Sequence, residues 1–168
     1  MSEKFKIQSK CGDARVTSFG TKHGEIETPI FMPVGTAGTV KAIFPTDLLK
    51  LDFQIILANT YHLMLRPGEN IIRNMGGIQK YINWNRPTLT DSGGFQIWSL
   101  SNLSEISENG IEFSSHIDGK KYFMSPEKSI LIQEKLNSDI SMVLDECTEY
   151  PANFERSKKS MEMTLRWA

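Results

Sequence analysis

The sequence predicts an α/β protein, and more narrowly the N-terminal half of a (β/α)8 TIM-like barrel preceded by a small antiparallel β region. Three observations predict it. Residues 4–27 alternate apolar and polar side chains with Gly20 and Gly24 as turns, the period of an antiparallel hairpin region. From residue 28 onward short apolar runs alternate with helical segments, the pattern of parallel βα units joined by crossovers. There are four such runs where a complete barrel has eight, and Leu165-Arg166-Trp167-Ala168 lies inside a helical pattern that no cap, glycine or polar tail ends. The reading is therefore one incomplete domain over 1–168: about 1–27 a hairpin region, about 28–168 the first four βα units. A small open α/β sheet complete in itself is the alternative that pattern leaves open.

Each element has a local reason. Residues 29–34 (P-I-F-M-P-V) form the first strand, irregular at Pro33. Residues 45–51 start a short helix after a proline, and 54–59 (Q-I-I-L-A-N) are a continuous apolar run suited to a strand buried on both faces. Residues 66–75 are helical and stop at Gly76-Gly77. A third strand, 87–91, runs into Gly93-Gly94, and 111–124 form an inserted hairpin turning at Asp118-Gly119. Ser125-Pro126-Glu127 opens a helix with Ile130, Leu131 and Leu136 on its apolar face. Residues 140–145 are the fourth strand, and 152–168 form a helix with Phe154, Met161 and Leu165 on one stripe. No repeat, low-complexity tract or linker divides the chain.

Composition sets outer limits. With 39% hydrophobic and 23% charged residues the chain has globular character. No apolar run approaches the roughly 20 residues of a membrane span. Met1-Ser2-Glu3-Lys4-Phe5-Lys6 has no apolar signal core, so no membrane partner and a cytoplasmic location are expected. Cys11 and Cys147 belong to no Cys-x-x-Cys pair, which argues against a zinc ribbon or a disulfide framework. Net charge is -1; Lys/Arg against Asp/Glu run 7 to 5 over residues 1–50, 4 to 7 over 51–118 and 8 to 8 over 119–168. No third is strongly basic, so an RNA partner would need a folded basic patch or phosphate contacts outside this chain.

In parallel α/β architectures reactive residues gather at the carboxyl ends of strands. Three predicted strands end in a polar residue: Asn59, Asp91 and Asp145. An acid after an apolar run is partly desolvated, which raises its pKa and suits it to proton transfer. The plainer reading of each acid is a turn or helix cap; two on neighbouring strands favour a site. After Asp91, Ser92-Gly93-Gly94 exposes backbone amides and admits a flat ligand, and Phe95 offers an aromatic plane. That set suits a planar heterocycle whose paired N–H donors, like those on the guanine edge, meet a carboxylate. Core packing is the alternative for Phe95.

Rival chemistries fit less well. Asp91-Ser92-Gly93-Gly94 also occurs in trypsin-like proteases, but there glycine precedes and proline follows, where this chain has Thr90 and Phe95. None of His23, His62 and His116 has the matching context, and alternating strands and helices contradict a double β-barrel. His62 has no second ligand at metal spacing and reads as a hydrogen-bonded structural residue. Cys147 reads as lining a pocket ahead of being reactive.

Together the ordered blocks identify a resemblance: Thr28-Pro29-Ile30-Phe31-Met32-Pro33-Val34-Gly35-Thr36, Leu57-Ala58-Asn59-Thr60-Tyr61-His62-Leu63 through Arg66-Pro67-Gly68, Leu89-Thr90-Asp91-Ser92-Gly93-Gly94-Phe95-Gln96, Ser115-His116-Ile117-Asp118-Gly119, Ser138-Asp139-Ile140 and Asp145-Glu146-Cys147. From about Gly20 to Ala168 the chain resembles the tRNA-guanine transglycosylases, also called queuine tRNA-ribosyltransferases. The resemblance implies exchange of guanine at the tRNA wobble position for a 7-deazaguanine in queuosine biosynthesis, by glycosyl transfer with retention. It implies that Asp91 is the general acid/base, that Asp145 reads the guanine edge, and that Ser92, Gly93, Gly94 and Phe95 form the base pocket with Cys147 beside it. Asn59 and Val34 match positions near the bound nucleotide. Cys147 resembles the bacterial branch, which implies the 7-aminomethyl-7-deazaguanine precursor over queuine. The family's nucleophilic aspartate, basic anticodon surface and Cys/His zinc site come from the second half of the barrel, so no cofactor is expected here. A C-terminal half chain or a homodimer is an expected partner beside tRNA. An inactive remnant, or a purine- or tRNA-binding module without catalysis, is the rival. Ser104-Glu105 departs from a usual basic pair and Gly77-Ile78-Gln79 from a commoner Gly-Leu-His, departures that bear on tRNA or partner contacts.

Overall fold

The structure, a computed structural model, describes residues 5–100 and 104–168. Residues 1–4, read above for a signal core, lie outside the described residues. Among the described residues the chain is mixed α/β, with three three-stranded sheets and no closed barrel.

The first sheet is an antiparallel meander of β1 (Phe5–Cys11), β2 (Ala14–Thr21) and β3 (Gly24–Thr28). Its turns fall at Gly12-Asp13 and Lys22-His23. Gly20, expected in a turn, instead pairs with Glu25 inside the ladder. Residues 29–34, expected as a strand, carry Pro29 and Pro33, which lack the N–H a ladder needs. Only Val34 makes a bridge there, parallel to Leu57.

The second sheet is parallel, in the order β4 (Ile56–Ala58), β5 (Thr88–Thr90), β9 (Ile140–Ser141). With Val34 beside Leu57, neighbours in space follow chain order. The expected fourth strand over 140–145 stops after two residues. From there the Gln133 side chain replaces strand pairing: its Oε1 accepts Met142 N at 2.9 Å and its Nε2 donates to Met142 O at 2.9 Å.

Helices α1 (Pro45–Lys50), α2 (Thr60–Leu65), α3 (Glu69–Asn74) and α4 (Ile78–Tyr81) surround β4 in sequence. The helix expected over 66–75 begins only at Glu69, because Arg66, preceding Pro67, is extended (φ -155, ψ 120); α2 before it was not expected. After β5 come α5 (Gly94–Leu100) and a third, antiparallel sheet of β6 (Ser104–Ser107), β7 (Gly110–Ser114) and β8 (Lys121–Met124). The β7–β8 hairpin was expected; β6, exposed throughout, was not. Ser104-Glu105 lies on that strand.

Helix α6 (Pro126–Leu136) starts as read, with Ser125 Oγ accepting Lys128 N at 3.1 Å. Its inward face is Ser129, Ile132, Gln133 and Leu136; Leu131 is exposed. Helix α7 (Phe154–Trp167) also turns another face inward. Phe154, Met161 and Leu165 are 76%, 55% and 66% exposed, while Ser160 and Trp167 are buried. Polar contacts choose that face: Ser160 Oγ donates to Glu146 O, Thr164 Oγ1 accepts Glu146 N, and Trp167 Nε1 donates to Glu108 O.

The main core joins Ala58, Tyr61, Leu63 and Ile72 to Ile111, Phe113 and Met124 of the inserted hairpin and to Leu136 and Leu144. A smaller cluster of Ile26, Ile55 and Leu89 fastens the meander to the parallel sheet. Beside it lies a buried polar junction. Asp139, whose side chain has no exposure, has His23 Nδ1 at 2.8 and 2.9 Å and accepts His23 N, Thr88 N and Gln79 Nε2 at 3.0, 2.9 and 3.2 Å. Gln79 is therefore buried in a fold contact, not presented to a partner. Asp139→Ala strands these donors, and urea denaturation is expected to show a loss of about 3 kcal/mol.

Candidate active site

The parallel register brings the strand ends together. Ala58 pairs with Thr90 and Thr90 with Ser141, so Asn59 and Asp91 leave β4 and β5 side by side. Asp91 N donates to Ala58 O at 3.2 Å. The Asp91 carboxylate then accepts Thr60 N at 2.9 Å and the Asn59 side-chain amide, while Thr60 Oγ1 donates to Asp91 O at 2.5 Å. Asp91 also takes the Gly93 N–H of its own turn, the capping contact, and a bond from Gln96. Burial raises the Asp91 carboxyl above the usual carboxylate range, and these hydrogen bonds oppose the rise.

Ser92 links the two acids. Its hydroxyl donates to Asp145 Oδ1 at 3.0 Å and accepts Gly94 N at 3.2 Å. Its carbonyl accepts Ser129 Oγ at 2.8 Å. The glycines are dictated by closeness. Gly93 has φ 85, and a Cβ there would lie 3.3 Å from Tyr61 N. At Gly94 a Cβ would meet Asp145 O at 2.7 Å and Asp145 Oδ1 at 3.1 Å. Asp145 is thus held against the loop that Asp91 opens.

The segment behind Asp145 is anchored. Arg156 grips Glu146 with two bonds of 3.0 and 2.5 Å, and α7 takes the Glu146 main chain as described above. Burial pushes the Cys147 thiol up to about 12, with the Asp145 carboxylate beside it acting the same way; its Sγ donates to Asp145 Oδ2 at 3.7 Å. Burial and the neighbouring carboxylate thus disfavour the thiolate, the nucleophilic form.

Phe95 is 56% exposed and tilts against Trp98 with ring centroids 5.7 Å apart, so core packing is excluded for it. Asn59 is buried at the Asp91 carboxylate. Val34 stands at the outer edge of the sheet, 52% exposed and bridged to Leu57 of β4, and two residues on Thr36 O accepts Asn59 N at 3.3 Å. Among the described residues no group of three His, Cys, Asp or Glu could hold a metal ion. The larger surface grooves gather around Lys22 and Asn137 at the opposite strand ends and contain neither acid.

Sequence reasoning missed Thr60 and Gln96, which hold Asp91, and Ser129 and Gln133, which hold the strand ends. A signal existed for the last two: polar residues four apart on the inward face of α6 must find buried partners. Gln133 Oε1 accepts Thr90 Oγ1 at 2.9 Å.

The fold and this site define a class, the α/β proteins whose chemistry sits at the carboxyl ends of parallel strands. Within it, residues 10–168 match the family model described as queuine tRNA-ribosyltransferase. The queuine tRNA-ribosyltransferase of Natranaerobius thermophilus is 59% identical over 168 residues, covering 100% of this chain and 45% of that protein. Those of Caldanaerobacter subterraneus subsp. tengcongensis and Solidesulfovibrio magneticus are 57% and 55% identical, over 92% and 98% of this chain and 41% and 44% of theirs. The chain belongs to the queuine tRNA-ribosyltransferase family, and it spans less than half the length of these relatives.

Two outcomes follow from the geometry. Gly94→Ala drives a methyl group into the Asp145 carbonyl, and denaturation is expected to show a loss of about 2 kcal/mol. Because the folded Asp91 carboxyl titrates above its unfolded value, its contribution to stability is full below the unfolded value and is lost as pH rises through the folded one. The stability difference between Asp91→Asn and the native chain should therefore move in the variant's favour as pH rises through and above the ordinary carboxylate range of about 4; a difference independent of pH contradicts the burial argument.

Proposed function

We propose that this chain is the base-recognising N-terminal half of a tRNA-guanine transglycosylase, which exchanges guanine at the tRNA wobble position for a 7-deazaguanine. The observation that carries the reading is the pairing of Asp91 and Asp145 about one glycine loop, each fixed by donors from this chain. Asp91 is the general acid/base: its raised carboxyl can take and return the proton of the departing or arriving base. Asp145 accepts the paired N–H donors of the guanine edge, with Ser92 holding its other face. Gly93 and Gly94 let the flat base approach, Phe95 stacks on it, and Cys147 lines the pocket. Asn59 and Val34 lie on the nucleotide side. The 7-aminomethyl-7-deazaguanine precursor is the expected incoming base.

The sequential order of Val34, β4, β5 and β9 supports a half-barrel as one incomplete domain. The retaining chemistry needs a second carboxylate to attack C1′, and the reading assigns it, with the zinc and most phosphate contacts, to the other half of the barrel. A C-terminal half chain is the preferred partner and a homodimer the lesser one.

The test is guanine exchange on tRNA by this chain alone and with the complementary C-terminal portion of the Natranaerobius thermophilus relative. No exchange is expected alone and measurable exchange with the complement. In the complemented reaction Asp91→Ala should lower kcat by roughly 10²- to 10⁴-fold. Exchange by the chain alone overturns the divided site, and none in either arm favours a non-catalytic remnant or binding module.

A further inference from the structure

The inserted hairpin brings a side chain toward Asp91 that the scheme above leaves unused. His116 stands exposed after β7, and its ring stacks on Tyr61 with centroids 5.5 Å apart and planes 21° apart. The Tyr61 hydroxyl meets His116 Nδ1 at 2.8 Å. Tyr61 is fully buried, and a buried phenol requires a hydrogen-bond partner. Burial pushes its titration up, with a main-chain contact at His116 opposing. Phe113 of the same hairpin packs on the ring at 5.6 Å.

The backbone of Tyr61 belongs to the other side of the network. Its nitrogen closes on Gly93, and the two preceding residues, Asn59 and Thr60, supply donors to the Asp91 carboxylate. His62 follows it, edge-on to His116 at 5.8 Å. Burial lowers the His62 imidazole, His116 adds to this, and Asp91 opposes it, so the three groups sense one another. The six residues of α2 cannot hold a helix by themselves, and its orientation comes from what packs on it.

We infer that His116 is a positioning residue for Asp91: by gripping Tyr61 from the hairpin it fixes the turn of α2 whose Asn59 and Thr60 donors hold the carboxylate. The catalytic meaning of this contact rests on the function proposed above; the contact itself does not. Asp91 is faced by Asn59, Thr60 and His62 from the β4–α2 side and by Gly93 and Gln96 from its own loop. His116 is faced by Tyr61 and His62.

The experiment labels aspartate carboxylates with ¹³C, assigns Asp91 with Asp91→Asn, and follows its titration by NMR in the native chain, His116→Phe, Tyr61→Phe and His116→Gln. Loosened donors favour the protonated acid, so His116→Phe and Tyr61→Phe should move the Asp91 midpoint to higher pH. His116→Gln, whose amide can pair with the phenol, should restore it, and other aspartates should not move. An unchanged Asp91 midpoint in His116→Phe, with the amide spectrum intact, overturns the inference; if Tyr61→Phe unfolds, the exposed His116 position decides alone. In the complemented exchange reaction His116→Phe should lower kcat roughly tenfold with KM for tRNA unchanged. A native complemented enzyme without exchange, but with the NMR coupling present, removes the catalytic reading and leaves the contact standing.

Discussion

Parallel pairing of β4, β5 and β9 decides which side chains reach the same height at the edge of the sheet. Leu57 lies beside Leu89 and Leu89 beside Ile140, and one residue further on Ala58, Thr90 and Ser141 are level. Asn59 and Asp91 therefore emerge as neighbours without any contact needing to pull them together. A slip of one residue would place Thr90 where Asp91 stands and turn the acid toward the opposite face. The apolar cluster of Ile26, Ile55 and Leu89 and the hydrogen bonds of Gln133 resist such a slip from the two ends of the strands. The site thus depends on packing some distance from it.

The two ends of this sheet use acids in different ways. At the amino ends Asp139 gathers donors from the meander, from α4 and from β5, and every one of them is a residue that must be held for the fold to close. At the carboxyl ends Asp91 is also given donors, yet burial still raises its carboxyl, so its ionised form is less favoured in the folded chain. A carboxylate whose ionised form burial disfavours costs stability when ionised, which is expected of a reactive position more than a structural one. Burial acts in the same direction on the Cys147 thiol beside Asp145 and disfavours its thiolate.

Much of this was legible in one dimension because an apolar run followed by an acid is a local signal. Asp91, Asp145 and the glycine loop between strand and helix needed only that pattern, and the close approaches at Gly93 and Gly94 explain why those residues are glycine. The elements that misled depend on partners distant in sequence. Residues 29–34 have a strand's apolarity, but two prolines restrict their pairing to one bridge. In α7 the apolar stripe reads as inward, whereas Ser160, Thr164 and Trp167 bind Glu146 and Glu108 and turn it outward. Thr60 was invisible as a site residue because its contribution is a main-chain N–H and a hydroxyl directed at a loop 31 residues away.

The donors that organise Asp91 and Asp145 come from Asn59 at the end of β4, Thr60 of α2, Ser92 and Gly93 of the loop after β5, and Gln96 of α5, all within this chain. Under the proposed function this separates two tasks that a retaining transfer joins: recognising a base and its proton, and attacking the sugar carbon that carries it. The first needs preorganised donors and a cleft with narrow tolerances, which only a continuous packed neighbourhood supplies. The second needs one further carboxylate on the far side of the sugar, and that group can arrive from another part of the barrel provided the edges meet in register. Phe154, Met161 and Leu165 lie exposed along α7, and Val34 and Met142 lie exposed beside the outer edges of the parallel sheet. Docking there would set the distance between the attacking carboxylate and Asp91, so the fit of those edges, more than any residue in the base pocket, would fix the rate of the complete enzyme.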